Sequence, residues 1–373
     1  MSELFITCAE HLEPLLLEEL KRLNIPGLRE GFRGVYAFKN METVYAVNYL
    51  SRLATRVLWP LHTFHCRDRD ELYREAKTID WLDYLDPSKT FAIDANISHP
   101  TIRHSLYGAQ VVKDALCDVL REKRGARPSV NVQQPDVQLN LFIHNNRAII
   151  SLDTSGSPLY KRGWKERSGD ASLQETLAAA MLQLARYNPE ETFCDPFCGA
   201  GTLLVEAALI ATHTPPGFFR ESWGFMHMPQ FSQQKWEEIK QFHDQKRIPL
   251  PKHMIMGADR DRAELSLCKA NLARLGWAET IELKHAEVYA YHPSPSPRLI
   301  ITDPPFGKRL VSSRKIFEDL GQFLKENQDP QQRAFVLCPK AEMIGAIGCK
   351  IVEEFPLKHG GLDTILYQLV SGK

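Results

Sequence analysis

The spacing of apolar residues divides the chain into two parts. In roughly the first 155 residues, strands and helices follow each other without strict alternation, which predicts an α+β region. Short apolar runs predict strands at residues 3–9, 34–40, 56–66 and 90–98. Apolar residues at helical spacing predict helices at residues 11–25, 41–54, 70–85 and 105–125. Two further strands meet at Asn145-Asn146 and predict a hairpin there.

The second part follows a polar, glycine-containing linker at 156–170. A helix predicted over 173–187 is followed by strands that alternate with helices. These strands are predicted at residues 191–197, 253–259, 281–287, 298–304, 333–339 and 365–370. Such alternation implies an α/β architecture with a mainly parallel, doubly wound sheet. An insertion rich in proline, glycine and aromatic residues interrupts it at 215–239.

Composition narrows the class of protein. Hydrophobic residues make up 43% of the 373 residues and charged residues 25%, which is an ordinary soluble profile. No apolar run approaches the roughly 20 residues that a membrane-spanning helix needs. Acidic residues occupy the N-terminus, where a signal peptide would be basic, so we expect a cytoplasmic protein without a membrane partner. The eight cysteines have no zinc-site spacing, so we expect reduced thiols and no metal.

The candidate chemistry lies at predicted strand ends, where α/β sheets bind their ligands. Asp195 and Pro196 end one strand, and Gly199 and Gly201 allow a tight turn before Thr202 opens a helix. A helix N-terminus at this position favours an anionic group, either a phosphate or a carboxylate.

Two more acidic residues follow strands of the same sheet. Asp259 stands where a carboxylate can accept hydrogen bonds from both hydroxyls of a ribose. Glu287 comes just after the next strand, where it could accept a hydrogen bond from an adenine amine.

The segment Asp303-Pro304-Pro305-Phe306 ends the strand over 298–304. The two prolines remove backbone donors and stiffen the chain, which holds the carboxylate and a neighbouring carbonyl in fixed directions. Two such acceptors can bind the hydrogens of an exocyclic amine and orient its lone pair. Phe306 offers a face on which a base can stack. This geometry does not distinguish guanine N2 from adenine N6.

The segments "DPFCGAGT", "GADRD" and "DPPFG" resemble motifs of class I S-adenosylmethionine-dependent methyltransferases that modify exocyclic amines. With "YKRGWKERSGDASLQETLAAAML" and the insertion, they are similar to the THUMP-domain RNA guanine-N2 methyltransferases over nearly the whole chain. Phe306 stands where many relatives have tyrosine, and Glu287 stands where aspartate is usual. The chain lacks the nucleophilic cysteine of cytosine-C5 enzymes and the Lys-Asp-Lys-Glu set of ribose methyltransferases.

The resemblance implies a ferredoxin-like segment at 1–55, a THUMP RNA-binding domain at 56–155, the linker at 156–170 and a Rossmann-like methyltransferase domain at 171–373. It implies S-adenosylmethionine as cofactor, with S-adenosylhomocysteine as product. The residues expected to bind the cofactor are Asp195, Pro196, Gly199, Gly201, Thr202, Asp259 and Glu287. Those expected to be catalytic are Asp303, Pro304, Pro305 and Phe306.

The resemblance further implies an RNA partner, in the form of bacterial 23S ribosomal RNA or an early ribosomal particle. A transfer RNA guanosine is the alternative target, because THUMP domains also serve tRNA enzymes. An RNA-binding or assembly protein with a vestigial methyltransferase fold is an alternative of another class. The intact Asp303-Pro304-Pro305-Phe306 segment argues against that alternative.

RNA must be held by phosphate contacts, yet the net charge of the chain is zero. We therefore expect the cations to be concentrated on one side. The residues expected to form this track are Arg121, Lys123, Arg124, Arg127, Lys161, Arg162, Lys165, Lys308 and Arg309. The aromatic residues expected to flank an extruded base are Trp164, Phe218, Phe219 and Trp223. The alternative is that the linker cations pair with nearby acids such as Glu166 and that Trp164 packs between domains.

Overall fold

The computed structural model describes residues 3–98, 102, 104–165, 173–305, 313–327, 331–339 and 341–370. Contacts divide the chain into two compact units. The first comprises Met1–Cys8, Leu16–Leu159 and Arg220–Lys240. The second comprises Ala9–Leu15, Tyr160–Phe219 and Gln241–Lys373. The domain limits expected at residues 55, 155 and 170 stay predictions.

Within the described residues, the sheet of the first unit has eight strands, ordered β2-β3-β1-β4-β8-β7-β5-β6. The strands are β1 Glu3–Thr7, β2 Arg29–Gly31, β3 Gly34–Phe38, β4 Arg56–His65, β5 Thr90–Ser98, β6 Ser129–Val130, β7 Val137–His144 and β8 Arg147–Asp153. The helices up to residue 124 are α1 Glu13–Arg22, α2 Met41–Leu50, α3 Arg69–Lys77 and α4 Ser105–Arg124. β4 pairs with β1 on one side and β8 on the other, so one continuous sheet spans this region.

Local chemistry explains where these elements begin and end. The side chain of Asn40 caps α2 by accepting from Thr43 N at 2.6 Å, and Gly125 ends α4 with φ +74°. Asn145 and Asn146 both have positive φ, as a two-residue hairpin turn requires, so the predicted hairpin is confirmed.

The helix predicted at 70–85 is wrong beyond Lys77. The buried Trp81 turns back toward α3, and its Nε1 donates to Ala76 O at 2.9 Å. This contact closes the helix end and converts the continuation into a single 3-10 turn.

The segment 220–240 completes the core of the first unit. Its aromatic residues pack on α2: the Phe225 ring lies 5.1 Å from the Tyr45 ring, and Trp236 lies 5.3 Å from Tyr49. Trp223 stacks on Phe225 at 5.7 Å and is 3% exposed. Burial of aromatic side chains contributes strongly to core stability, so this insertion belongs structurally to the first unit.

The sheet of the second unit is ordered β11-β10-β9-β12-β13-β15-β14. The strands are β9 Phe193–Asp195, β10 Ile255–Asp259, β11 Glu282–His285, β12 Leu299–Thr302, β13 Arg333–Cys338, β14 Lys350–His359 and β15 Leu362–Val370. The remaining helices are α5 Glu175–Leu184, α6 Thr202–Ala211, α7 Gln233–Asp244, α8 Arg262–Arg274, α9 Ser313–Glu326 and α10 Ala341–Gly345. The first five strands in the order are parallel, and β15 runs antiparallel to both of its neighbours, β13 and β14.

The predicted class, a mainly parallel doubly wound sheet after an α+β region, is confirmed. The sequence prediction missed β14 because its first five residues are exposed and it contains charges and Pro356. Such composition is typical of edge strands. In the described part of the chain, the helices fall short of the length and apolarity needed to cross a membrane.

Candidate active site

Three acidic residues lie at the carboxyl ends of three adjacent strands in the second sheet. β9 lies between β10 and β12, and Asp195 is in register with Gly257 of β10. Asp259 ends β10, and Asp303 directly follows β12. Chain order reverses across β9, so this edge is the switch point at which α/β sheets bind ligands.

The turn from β9 into α6 is held by backbone hydrogen bonds. Cys198 N donates to Ala258 O at 2.9 Å, and Gly201 N donates to Cys198 O at 2.8 Å. Gly201 has φ +88°, and a Cβ atom there would lie 2.5 Å from Sγ of Cys268. Both conformation and space therefore require glycine, and the backbone of the turn is left open to a ligand at the N-terminus of α6.

The Asp259 carboxylate links this turn to the next strand. Its Oδ2 accepts from Gly199 N at 2.9 Å, and its Oδ1 accepts from Asp261 N at 2.8 Å. Each carboxylate oxygen can accept a further hydrogen bond. The side chain is therefore fixed in direction and retains capacity for the two hydroxyls of a ribose.

The other predicted cofactor residues near the turn are Glu287, Pro196 and Thr202, and they differ in exposure. Glu287 is exposed just beyond β11, and Ala286 N donates to Asp259 O at 3.1 Å. Pro196 is buried behind Asp195, and Thr202 is 5% exposed at the start of α6. The structure thus places the predicted cofactor residues around one strand edge, with Glu287 at its outer side.

Asp195 is buried and satisfied within the protein. Its Oδ1 accepts from Oγ1 of Thr302 at 2.6 Å and from Phe197 N at 3.1 Å. Burial raises its pKa to about 7, against the effect of these two donors. This side chain ties β9 to β12 immediately before Asp303.

Asp303 carries the clearest sign of a position that binds a hydrogen-bond donor. Its Oδ1 is buried and has no donor among the described residues, which is rare for a buried oxygen. Its Oδ2 lies 3.7 Å from Nε2 of His359. Burial, and then the nearby Asp195 charge, raise its pKa to about 8. Pro304 is buried and Pro305 is exposed, whereas Phe306, Lys308 and Arg309 lie outside the described residues.

The cations expected on the N-terminal region are exposed. Arg121, Lys123 and Arg124 lie in the last turn of α4, where the helix dipole favours positive charge. Arg121 and Arg127 both contact Asp118, at 3.1 Å and 2.8 Å, and remain about half exposed. Exposed pairs of this kind are weak, so these cations can still contact phosphates.

The linker cations differ from each other, and two predictions are corrected. Arg162 is 2% exposed and pairs with the fully buried Glu206 at 3.2 Å. The Lys165 side chain is 9% exposed and pairs with Glu175 at 3.3 Å and with Oγ1 of Thr202 at 3.1 Å. Both side chains form buried ion pairs that stabilise the fold, and their charges are shielded from solvent. Lys161, in contrast, is exposed.

Two of the four aromatic residues expected to flank a base are also corrected. Trp164 is fully buried, and Trp223 is part of the core of the first unit. Neither offers a face to a nucleotide. Phe218 and Phe219 are half-buried and contact each other edge to face at 5.0 Å, and Arg247 lies 3.8 Å above the Phe218 ring. Their role stays a prediction.

Sequence reasoning missed His359, Glu175 and Glu206. The two glutamates lie within apolar helices and gave no separate signal, although acids inside such stretches could have suggested buried partners for the linker cations. His359 ends the strand that was not predicted.

Comparison with protein families matches three profiles in chain order. They are described as RlmL ferredoxin-like domain (residues 3–58), THUMP domain (66–153) and RMKL-like, methyltransferase domain (162–368). A curated relative, "Putative RNA methyltransferase slr0064" of Synechocystis, is 32% identical over 365 residues. The alignment covers 97% of this chain and 95% of the relative.

Solved structures with the same fold cover the whole chain. SMU.472, a putative methyltransferase complexed with SAH, has a TM-score of 0.87 at 22% identity, and the match covers 98% of that chain. A predicted N6-adenine-specific DNA methylase from Listeria monocytogenes has a TM-score of 0.85 at 25% identity, with 96% of its chain covered.

Proposed function

The chain belongs to the THUMP-containing, RlmL-like RNA methyltransferases, and from this premise we propose that it methylates N2 of a guanosine in 23S ribosomal RNA. The methyl donor is S-adenosylmethionine, and S-adenosylhomocysteine is the product. The enzyme binds this RNA either as free RNA or within an early ribosomal particle. The observation that carries the proposal is Asp303 at the switch point, beside a glycine turn: its buried Oδ1 has no donor within the part of the chain that the structure describes.

The residues at the strand ends fit S-adenosylmethionine. The open turn at Gly199 and Gly201 leads to the N-terminus of α6, which suits the carboxylate of a methionine moiety. Asp259 has acceptor capacity for a ribose, and Glu287 lies on the side where the adenine would sit. When bound, the cofactor supplies an electrophilic methyl group on a sulfonium sulfur.

The protein's contribution to the reaction is to bind and orient the target amine. The buried Oδ1 of Asp303 accepts one N–H of the exocyclic amine, and the proline-stiffened backbone fixes the direction of that acceptor. The amine lone pair is then held toward the methyl group, and positioning of this kind can supply much of a rate acceleration. The buried surroundings exclude water, which strengthens the hydrogen bond.

Guanine N2 and adenine N6 present similar hydrogens to such an acceptor, so the target base needs a direct test. Nucleosides of ribosomal and transfer RNA from a deletion strain should be quantified by mass spectrometry. N2-methylguanosine should fall in 23S RNA and return when the wild-type gene is restored, but not with an Asp303→Ala variant. Loss of N2-methylguanosine only from transfer RNA would contradict the ribosomal target, and loss of N6-methyladenosine instead would contradict the guanine.

A further inference from the structure

His359 lies beside the proposed amine acceptor, on an element that the active-site motifs do not include. Its Nε2 is 3.7 Å from Oδ2 of Asp303, and the two side chains are only 14% and 17% exposed. His359 is the last residue of β14, and Gly360 and Gly361, with φ of +56° and +83°, turn the chain back into β15. The antiparallel pairing of His359 with Leu362 closes this hairpin at the site.

We propose that His359 is a positioning residue that takes over, through Asp303, the proton lost by the target amine. This inference rests on the proposed function, because an exocyclic amine has a proton to lose on methylation. The two acceptors of Asp303 then have separate tasks: Oδ1 faces the amine and Oδ2 faces the imidazole.

The step balances as follows in atoms and charge. The amine lone pair forms a bond to the methyl carbon, the carbon–sulfur bond of the sulfonium breaks, and its electron pair stays on sulfur. The methylated nitrogen, now positively charged, gives one proton to the carboxylate of Asp303. Asp303 passes a proton to Nε2 of His359, and the imidazolium releases it to water. The positive charge of the sulfonium therefore leaves the site as a proton.

The electrostatics of the site make a second acceptor useful. Burial raises the pKa of Asp303 to about 8, so a proton delivered to its carboxylate would tend to remain there and block the next turnover. Burial lowers the pKa of His359, so the ring is a weaker base than Asp303: it is neutral at rest, takes the proton only transiently and releases it rapidly. Among the described residues, Asp195 is the other acid facing Asp303, and on the hairpin Lys358 pairs with Asp363 at 2.5 Å.

The test compares His359→Asn and His359→Ala with wild type in the full-length protein. Single-turnover methylation of RNA from a deletion strain is followed by mass spectrometry of nucleosides. We expect the rate to fall about 10²-fold, at the lower end of proton-transfer contributions. Affinity for S-adenosylmethionine and the thermal midpoint should stay near wild type. His213→Asn is the matched control, because His213 is exposed and its φ of +54° suits asparagine.

Three readouts separate proton transfer from a packing role. Added imidazole should restore part of the rate of His359→Ala in proportion to its concentration, and should leave wild type unchanged. As the pH falls, the log of the wild-type rate should decline with a slope of about one from about pH 8, where Asp303 takes up its proton, and with a slope approaching two below the lowered pKa of His359. The log of the His359→Asn rate should keep a slope of about one throughout. In NMR spectra, Asp303→Asn should shift the titration of the His359 ring, because it removes a carboxyl group that lies 3.7 Å from Nε2.

The possible outcomes distinguish this inference from the proposed function. If wild type transfers no methyl group, or methylates another atom, the proposed function is wrong. If wild type methylates guanine N2 and His359→Asn matches it at every pH, the inference is wrong. A slow variant that imidazole does not rescue and that melts early would also overturn it, since His359 would then serve only the fold.

Discussion

Replacing Arg162 by methionine tests whether this cation belongs to the RNA surface or to the core of the second unit. Its guanidinium pairs with Glu206 at 3.2 Å, and the two side chains are 2% and 0% exposed. Methionine keeps much of the length and removes the charge. The Glu206 carboxylate is then left in a buried position without the cation that it contacts in wild type.

The magnitude follows from this burial. Removing one partner of a buried ion pair costs roughly 3–5 kcal/mol, because the remaining charge has lost its compensation. A unit of this size loses about 2–4 °C of thermal midpoint for each kcal/mol, so the midpoint should fall on the order of 10 °C. Adding Glu206→Gln removes the second charge as well. The double variant should therefore be more stable than Arg162→Met alone.

Two assays on two variants separate the roles. Unfolding in urea, followed by fluorescence, measures the stability change, and the salt dependence of RNA affinity measures the phosphate contacts. Arg121→Met is the matched control, because Arg121 is 53% exposed and pairs with Asp118 at 3.1 Å. Arg121→Met should change stability by less than about 1 kcal/mol and flatten the salt slope by about one unit.

Arg162→Met should do the reverse, with a large loss of stability and an unchanged salt slope for the folded fraction. If Arg162→Met kept wild-type stability and flattened the salt slope, the burial argument would be refuted. The original sequence interpretation, with Arg162 on the RNA, would then be correct.

Three further predictions concern the strand ends. Asp259→Ala should weaken S-adenosylmethionine binding by about 1.5–3 kcal/mol in titration calorimetry, the range for hydrogen bonds to a charged group; an unchanged affinity would remove Asp259 from the site. Gly201→Ala should lower cofactor affinity because its Cβ would lie 2.5 Å from Cys268 Sγ. The double variant Gly201→Ala/Cys268→Ala should recover only part of the affinity, since alanine at φ +88° still costs about 1–2 kcal/mol. Full recovery would contradict the claim that the positive φ requires glycine. Asp303→Asn should gain stability relative to wild type as the pH rises from about 4 to 8, by at most about 1.4 kcal/mol per pH unit. The reason is that the pKa of Asp303 is raised in the folded state, so wild type loses stability as this carboxyl group loses its proton, whereas asparagine has no proton to lose. A constant difference in thermal midpoint across this pH range would contradict the raised pKa.

Strand ends could be predicted from sequence because apolar runs and turn residues are local signals. Asp195, Asp259 and Asp303 were placed correctly at the ends of their strands for this reason, and the order of the elements followed from their alternation. Partners distant in the chain could not be predicted in the same way. Arg162 meets Glu206 through the fold, and a basic linker gives no sign of which cations are buried. His359 was missed because the charges on β14 conceal a strand.

The packing of residues 220–240 into the first unit sets an order of events during synthesis. Residues 1–159 leave the ribosome first, but Tyr45 and Tyr49 lack their covering partners Trp223, Phe225 and Trp236 until much later. At about 5–20 residues per second, the intervening eighty or so residues take roughly 4–16 s to translate. During that time an aromatic surface on the nascent chain stays open to solvent and to chaperones. An N-terminal fragment that ends near residue 159 would keep this surface permanently, and we expect it to aggregate where a fragment supplied with the 220–240 peptide does not.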